Sequence, residues 1–157
     1  MATKVAINGF GRIGRLVARA ILERTDHDLD LVAINDLADA KANALLFAYD
    51  SVHGRFPGMV KVKENMLDLG RGPIRVMSTY NPEELDWEGV DVVLACVGND
   101  DDVRGVVAEI LQSMAEGGII VDHTTTSAKV ARRQANCIGL PDSVVPIPEC
   151  PGARAAS

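Results

Sequence analysis

Two rhythms alternate along the first 125 residues: short unbroken apolar runs that end at glycine or a polar residue, and longer stretches with apolar positions three and four apart. Lys4 to Asn8 is a β-branched run that stops at glycine, which predicts a buried strand. From Ile13 to Leu22, the residues Ile13, Leu16, Val17, Ala20 and Ile21 recur at helical spacing with arginines between them. Asp30 to Asn35 predicts a second buried strand, and Leu37 to Tyr49 a second helix, broken afterwards by Gly54 and the Pro57-Gly58 pair. Met59 to Ser78 carries short β patterns around Asn65, Gly70 and Gly72-Pro73, which predict small hairpins and a third strand. Asp91 to Val97 and Gly118 to Val121 predict two more buried strands. Between them Asp102 to Met114 is amphipathic, with Asp100 to Asp102 at its positive N-terminal end. Ser127 to Gln134 starts another helix. Strands alternating with crossover helices imply a doubly wound, mostly parallel α/β sheet in a single domain over residues 1–135. Residues 136–157 form a Pro-rich tail with Pro141, Pro146, Pro148 and Pro151, where Val144 to Ile147 fits at most an edge strand.

The first strand and helix are joined by Gly9-Phe-Gly-Arg-Ile-Gly14, a Gly-x-Gly-x-x-Gly loop. Gly9 permits the tight turn, Gly11 lets the backbone approach a pyrophosphate, and Gly14 lets the helix lie close to the sheet. The helix N-terminus then offers unpaired N–H groups and partial positive charge to phosphates. Asp36 follows the second strand, 22 residues beyond Gly14. A carboxylate there accepts hydrogen bonds from an adenosine ribose and repels a 2′-phosphate, which favours NAD over NADP. Strand, loop, helix and spaced acid together imply dinucleotide binding on a Rossmann fold.

Composition narrows the field. Of 157 residues, 47% are apolar and 24% charged, the mix of a globular domain, and no apolar run approaches a bilayer span. Sixteen Lys and Arg against 22 Asp and Glu give a net charge of −6, which speaks against nucleic-acid and acidic-membrane partners. The start lacks a basic region before an apolar core, and Cys96, Cys137 and Cys150 are odd in number and unclustered, so reduced thiols in the cytoplasm are expected.

Longer strings carry a family likeness. Val5-Ala-Ile-Asn-Gly-Phe-Gly-Arg-Ile-Gly-Arg15, Val32-Ala-Ile-Asn-Asp-Leu37, Tyr49-Asp-Ser-Val-His-Gly-Arg-Phe56, Gly70-Arg-Gly-Pro-Ile-Arg75, Asn81-Pro82 and Trp87 resemble phosphorylating glyceraldehyde-3-phosphate dehydrogenase over about residues 1–98. The resemblance implies an NAD-binding domain, with Arg12 and Ile13 at the pyrophosphate and Asp36 at the ribose. One departure stands out: Tyr80 occupies a position where that family usually has arginine, and its ring offers a stacking surface in exchange for a charge. Beyond Gly98 a different likeness begins. Asp91-Val-Val-Leu-Ala-Cys-Val-Gly-Asn-Asp-Asp-Asp-Val103 and Gly118-Ile-Ile-Val-Asp-His-Thr-Thr-Thr-Ser127 are similar to the 3-hydroxyisobutyrate dehydrogenase group of β-hydroxyacid dehydrogenases, over about residues 91–134. By that resemblance Val97, Gly98, Asp102 and Thr125 touch the cofactor. Both families carry an Asp-Val-Val strand at this place, so a chimera joined within residues 91–98 is expected.

No catalytic residue or metal ligand is assigned. The cysteine string and following domain of the first family are absent, as are the substrate motif and lysine of the second. Cys137 and Cys150 lie in no recognisable nucleophile context and read as inert thiols. His27 reads as a solvated turn residue, His53 as structural and, by the first resemblance, near subunit contacts, and His123, at the cofactor edge, as either an exposed loop residue or a hydrogen-bond partner for a ligand. Thr124 to Ser127 fit both a helix N-cap and a cofactor contact. Three functional readings follow: an NAD(H)-binding domain without its own catalytic half, an oxidoreductase that depends on a substrate domain from elsewhere, and a non-catalytic interaction or scaffold domain. Apolar surface that the missing half would cover makes self-association an expectation.

Overall fold

A computed structural model describes residues 1–98, 105–107, 110, 113–114 and 117–124. The chain divides into two compact units, Met1–Thr125 and Thr126–Ser157. The second unit lies outside the described residues, and with it the expected helix from Ser127, the Pro-rich tail, Cys137 and Cys150.

The apolar run at the N-terminus becomes β1 (Thr3–Asn8), followed by α1 (Arg12–Glu23), β2 (Leu29–Asn35) and α2 (Ala40–Ala48). A two-residue hairpin, β3 (Tyr49–Asp50) with β4 (Gly54–Arg55), leads to an antiparallel meander of β5 (Lys61–Lys63), β6 (Met66–Asp68) and β7 (Pro73–Met77). A 3₁₀ turn at Pro82–Glu84 precedes β8 (Val92–Ala95), then helical residues 105–107, 110 and 113, then β9 (Ile119–Asp122). Seven described strands form one sheet in the order β5-β6-β7-β2-β1-β8-β9, and β7, β2, β1, β8 and β9 are mutually parallel. This is the mostly parallel, doubly wound α/β sheet that the pattern predicts, with β5 and β6 as its antiparallel flank.

Strand alternation sends side chains to two cores, one on each face. Val5 and Ile7 of β1, Ile34 of β2 and Leu94 of β8 pack with Ala18, Ile21, Ala44 and Phe47 of α1 and α2. Ala6, Ala33 and Val93 face the other way, against Leu85, Trp87, Val90 and Ile110. β1 and β2 end on the same four residues, Val-Ala-Ile-Asn, and pair so that Ile7 meets Ile34 and Asn8 meets Asn35.

Several details differ from the expected pattern. Helix α2 starts three residues later than Leu37, because the Asp39 side chain accepts the Ala42 N–H at 2.8 Å and caps the first turn. Tyr49 leaves the helix to pair with Arg55. In α1, Ile13 and Ala20 of the expected apolar face are exposed, whereas Ala18 and Arg19 are buried. Burying Arg19 is feasible because Nη2 donates to the Phe47 carbonyl at 2.7 Å and the Gly54 carbonyl at 3.0 Å. Its guanidinium also lies over the Phe47 and Phe56 rings. It pins α2 and the β3–β4 hairpin to α1. His27 is half-buried, its Nδ1 accepting the Leu29 N–H at 3.1 Å, so it closes the turn into β2 rather than standing in solvent. His53 is exposed beside Asp50, 3.1 Å away. The Asp50 carboxylate accepts the His53 and Val52 N–H groups as well as the His53 ring, which together hold its pKa at about 2.

Candidate functional site

Five parallel strands end at one edge of the sheet, and their last residues are laced together. Gly9 N–H donates to the Asn35 carbonyl (2.9 Å), Cys96 N–H to the Asn8 carbonyl (2.7 Å), Asp36 N–H to the Met77 carbonyl (3.1 Å) and His123 N–H to the Ala95 carbonyl (2.8 Å). Above this edge lies a cleft of about 430 Å³. The loops after four strands contribute to its lining: Gly9 and Gly11 after β1, Asp36 and Leu37 after β2, Thr79 and Tyr80 after β7, and Val97 and Gly98 after β8. A crevice outside the carboxyl ends of parallel strands is where doubly wound sheets hold ligands.

The three glycines differ in what they are for. Gly9 has φ +98°, and a Cβ there would stand 2.2 Å from the Cys96 carbonyl oxygen. At Gly14 a Cβ would stand 2.1 Å from the Gly9 carbonyl oxygen, so the bare backbone lets α1 lie down on the loop. Gly11 is the opposite case: it has an ordinary φ of −68°, and nothing lies within 4 Å of an added Cβ. No fold constraint asks for glycine here. The open space belongs to the cleft.

Gly11 is also the N-cap of α1, and no side chain caps that end or places an acid in its first turn. Helix α2, by contrast, has its Asp39 cap. The leading N–H groups of α1 therefore remain available to an anion, with the positive end of the helix dipole behind them. These observations fit a bound pyrophosphate.

Asp36 sits one residue past β2, its Oδ1 accepting the Ala38 N–H at 3.2 Å. Arg12 and Ile13 are exposed on the first turn of α1, next to the cleft without lining it. Val97 N–H donates to Thr124 Oγ1 at 3.1 Å, and Thr124 N–H to Asp122 Oδ1 at 2.8 Å, so this hydroxyl fastens the loop after β8. Asp102 and Thr125 lie outside the described residues, as does the acidic run from Asp100. Among the expected cofactor residues, Gly9, Gly11, Asp36, Val97 and Gly98 thus line one cleft, and Gly14 packs behind it. His123 is exposed and not part of the lining.

Asn8, Asn35, Leu37, Thr79, Leu85, Gly105 and Val106, none of them assigned from the sequence, complete the lining together with Tyr80, whose ring the sequence offered as a stacking surface. A signal for two of them is the repeated Val-Ala-Ile-Asn, which ends both central strands in a buried amide. The amide orientations follow from the backbone. Thr79 N–H donates to Asn35 at 3.2 Å, so the atom facing it is Oδ1. Asn35 Nδ2 then donates to the Thr79 carbonyl at 3.2 Å and to Asn8 Oδ1 at 2.9 Å. This small network fixes the loop after β7 against the end of β2.

Cys96 ends the buried part of the β8 run as a free, half-buried thiol. Burial, reinforced by the nearby Asp122 carboxylate, pushes its pKa up to about 11. It stays protonated at neutral pH and serves as packing. No group of three or more His, Cys, Asp or Glu that could hold a metal ion occurs among the described residues. Nor is any described helix long and apolar enough to cross a membrane.

Fold and cleft together define a Rossmann-type dinucleotide-binding domain. Residues 3–103 match the family described as glyceraldehyde 3-phosphate dehydrogenase, NAD binding domain, and the chain belongs to that family, with NAD as its cofactor. It is 58% identical over 100 residues to glyceraldehyde-3-phosphate dehydrogenase of Xanthobacter flavus, covering 62% of this chain and 30% of that protein. It is 52% identical over 97 residues to the enzyme of Thermotoga maritima, covering 60% and 29%. A longer match, 47% over 134 residues, joins it to the chromosomal enzyme of Cupriavidus necator and covers 79% of this chain and 40% of that protein. The chain thus spans less than half the length of each of these relatives.

Proposed function

We propose that this chain acts as the cofactor half of a glyceraldehyde-3-phosphate dehydrogenase-like protein: it holds NAD(H) but carries no catalytic residue of its own. The observation that carries this reading is the open space over Gly11 at an uncapped helix N-terminus, with Asp36 on the neighbouring strand end. In this reading the Gly11 backbone and the leading N–H groups of Arg12 and Ile13 receive the pyrophosphate. Gly9 and Gly14 shape the turn, Asp36 accepts the ribose hydroxyls, and Val97 and Gly98, with Asp102 and Thr125, serve the other half of the dinucleotide. Replacing Asp36 by Ser should shrink the preference for NAD over NADP. It removes two acceptors for the ribose hydroxyls and the like charge that opposes a 2′-phosphate. Titration of both nucleotides should show NAD weakened by about tenfold and NADP unchanged or improved. An unaltered NAD-to-NADP ratio contradicts the role of Asp36.

The cofactor domain runs over residues 1–135 in this proposal, with 136–157 as a separate tail, and its setting is the cytoplasm. The second reading, an oxidoreductase that turns over when another chain supplies the substrate domain, draws on the names of the relatives. It is separated from the first by adding a glyceraldehyde-3-phosphate dehydrogenase catalytic domain to an activity assay. Failure to bind NAD would leave the scaffold reading.

The join within residues 91–98 rests on the β-hydroxyacid dehydrogenase-like strings alone. The Cupriavidus necator match, covering 79% of the chain, extends past residue 103 wherever it begins, which favours continuity with the first family for part of this segment. Self-association has its support at the end of α2 and the hairpin beyond it, where Leu45, Leu46, Tyr49 and Val52 are all exposed. Sedimentation velocity should show a species larger than 16.8 kDa, and a monomer at high concentration contradicts it.

A further inference from the structure

We propose that the Asn8–Asn35 amide pair is a strut that fixes the spacing between the phosphate-binding turn after β1 and the ribose-binding acid after β2. Both are positioning residues in this scheme: their side chains touch no ligand and act through their neighbours, Gly9 and Asp36. The proposal rests on the dinucleotide reading above and goes beyond it.

Its basis is where the two amides stand. Asn8 immediately precedes Gly9, and Asn35 immediately precedes Asp36. Asn8 is 2% exposed and Asn35 7%. Asn35 Nδ2 donates to Asn8 Oδ1 at 2.9 Å, and the Gly9 N–H donates to the Asn35 carbonyl, also at 2.9 Å. The two turns are therefore tied twice, once through side chains and once through backbone. This pairing depends on an irregularity further down the strands. Val5 pairs with Leu31 but Ala6 with Ala33, so β2 carries one extra residue, Val32. Had the register of Thr3 with Leu29 run on unbroken, Asn8 would lie opposite Ile34 and the amides would not face each other.

Stability alone does not account for Asn8. Its Oδ1 is used by Asn35, but its Nδ2 is buried with no hydrogen-bond partner among the described residues. An unpaired buried donor is destabilising, and an apolar side chain of the same branched shape would remove it. Sequences keep such a cost where a site needs it. What the amide supplies here is registration, an acceptor for Asn35 held between two binding turns. A ligand that reaches from one turn to the other gains from a preset spacing. One that occupies a single turn does not.

The test is titration of the whole chain, as wild type, Asn8→Leu and Asn8→Ala, with three probes. ADP spans both turns and is followed by calorimetry; adenosine and inorganic pyrophosphate each reach one turn and are followed by NMR. Wild type should bind ADP more tightly than either fragment. Both variants should weaken ADP by about tenfold and bind adenosine and pyrophosphate as wild type does. Asn8→Leu, which removes the unpaired donor, should melt close to wild type. Asn8→Ala adds no bulk and keeps the test open if leucine does not fit. ADP binding that the variants leave intact overturns the strut. A loss that extends equally to pyrophosphate or to adenosine also overturns it, since the amide then serves one turn alone. Wild type that binds none of the three overturns the dinucleotide reading and this inference together.

Discussion

Substituting Gly11 by Val should weaken NAD binding severely and leave the fold standing, while Gly14→Ala should damage the fold itself. The contrast comes from two glycines three residues apart. A side chain at Gly11 meets nothing within 4 Å, so it projects into the space a pyrophosphate would occupy. It costs the protein only the weaker capping of valine relative to glycine, about 1 kcal/mol. Losing the approach of two amide donors to a charged phosphate should weaken NAD by on the order of a hundredfold. At Gly14 the new methyl would sit 2.1 Å from the Gly9 carbonyl oxygen, a backbone atom that no rotamer change can move. Helix α1 must then lift from the sheet, and overpacking of this kind costs about 1–3 kcal/mol, several degrees in melting temperature for a domain this size. Melting curves and NAD titrations of both variants decide it. Gly11→Val that binds like wild type, or a Gly14→Ala variant as stable as wild type, contradicts the division of labour in this loop.

Purified alone, the chain should show no phosphorylating oxidation of glyceraldehyde 3-phosphate. That reaction needs a thiolate to attack the aldehyde, and binding NAD positions only the hydride acceptor. The described cysteine is unsuited. With the Cys96 thiol at about 11, only about one molecule in ten thousand carries a thiolate at pH 7. Raising the pH does not rescue it cleanly. Its folded pKa lies above its ordinary 9.0, so the stability linked to the neutral thiol is intact below pH 9 and declines as pH climbs toward 11. Even a reactive thiol misplaced by about an ångström would forfeit roughly a hundredfold in rate. NADH production from glyceraldehyde 3-phosphate and phosphate that disappears in Cys150→Ser, or in Cys96→Ala, would overturn this expectation.

Much of the fold could be read along the chain because its central strands are buried on both faces and end on glycine or asparagine. β1, α1 and β2 fall where the apolar rhythm puts them, and the Gly-x-Gly-x-x-Gly loop needs only its immediate neighbours to be recognised. What escaped depends on contacts between distant segments. Arg19 looks like a solvent-facing arginine until the Phe47 and Gly54 carbonyls, 28 and 35 residues away, are brought to it. The β3–β4 hairpin has two residues per strand, too few for any periodicity to register. In the site, Asp36 was readable from its spacing, while at the far wall of the cleft only Tyr80 stood out, as a departure from the arginine of the resembled family. Asn35 reaches Thr79, 44 residues away, only because β2 pairs with β7, and that pairing brings Tyr80 to the same cleft as Leu37.

The most direct test of cofactor binding is one titration, NAD into the wild-type chain followed by calorimetry, with NADP in parallel. The expected result is saturable binding of one NAD per chain, tighter than NADP and severely weakened in Gly11→Val. No saturable heat with NAD, or tighter binding of NADP than of NAD, would contradict it.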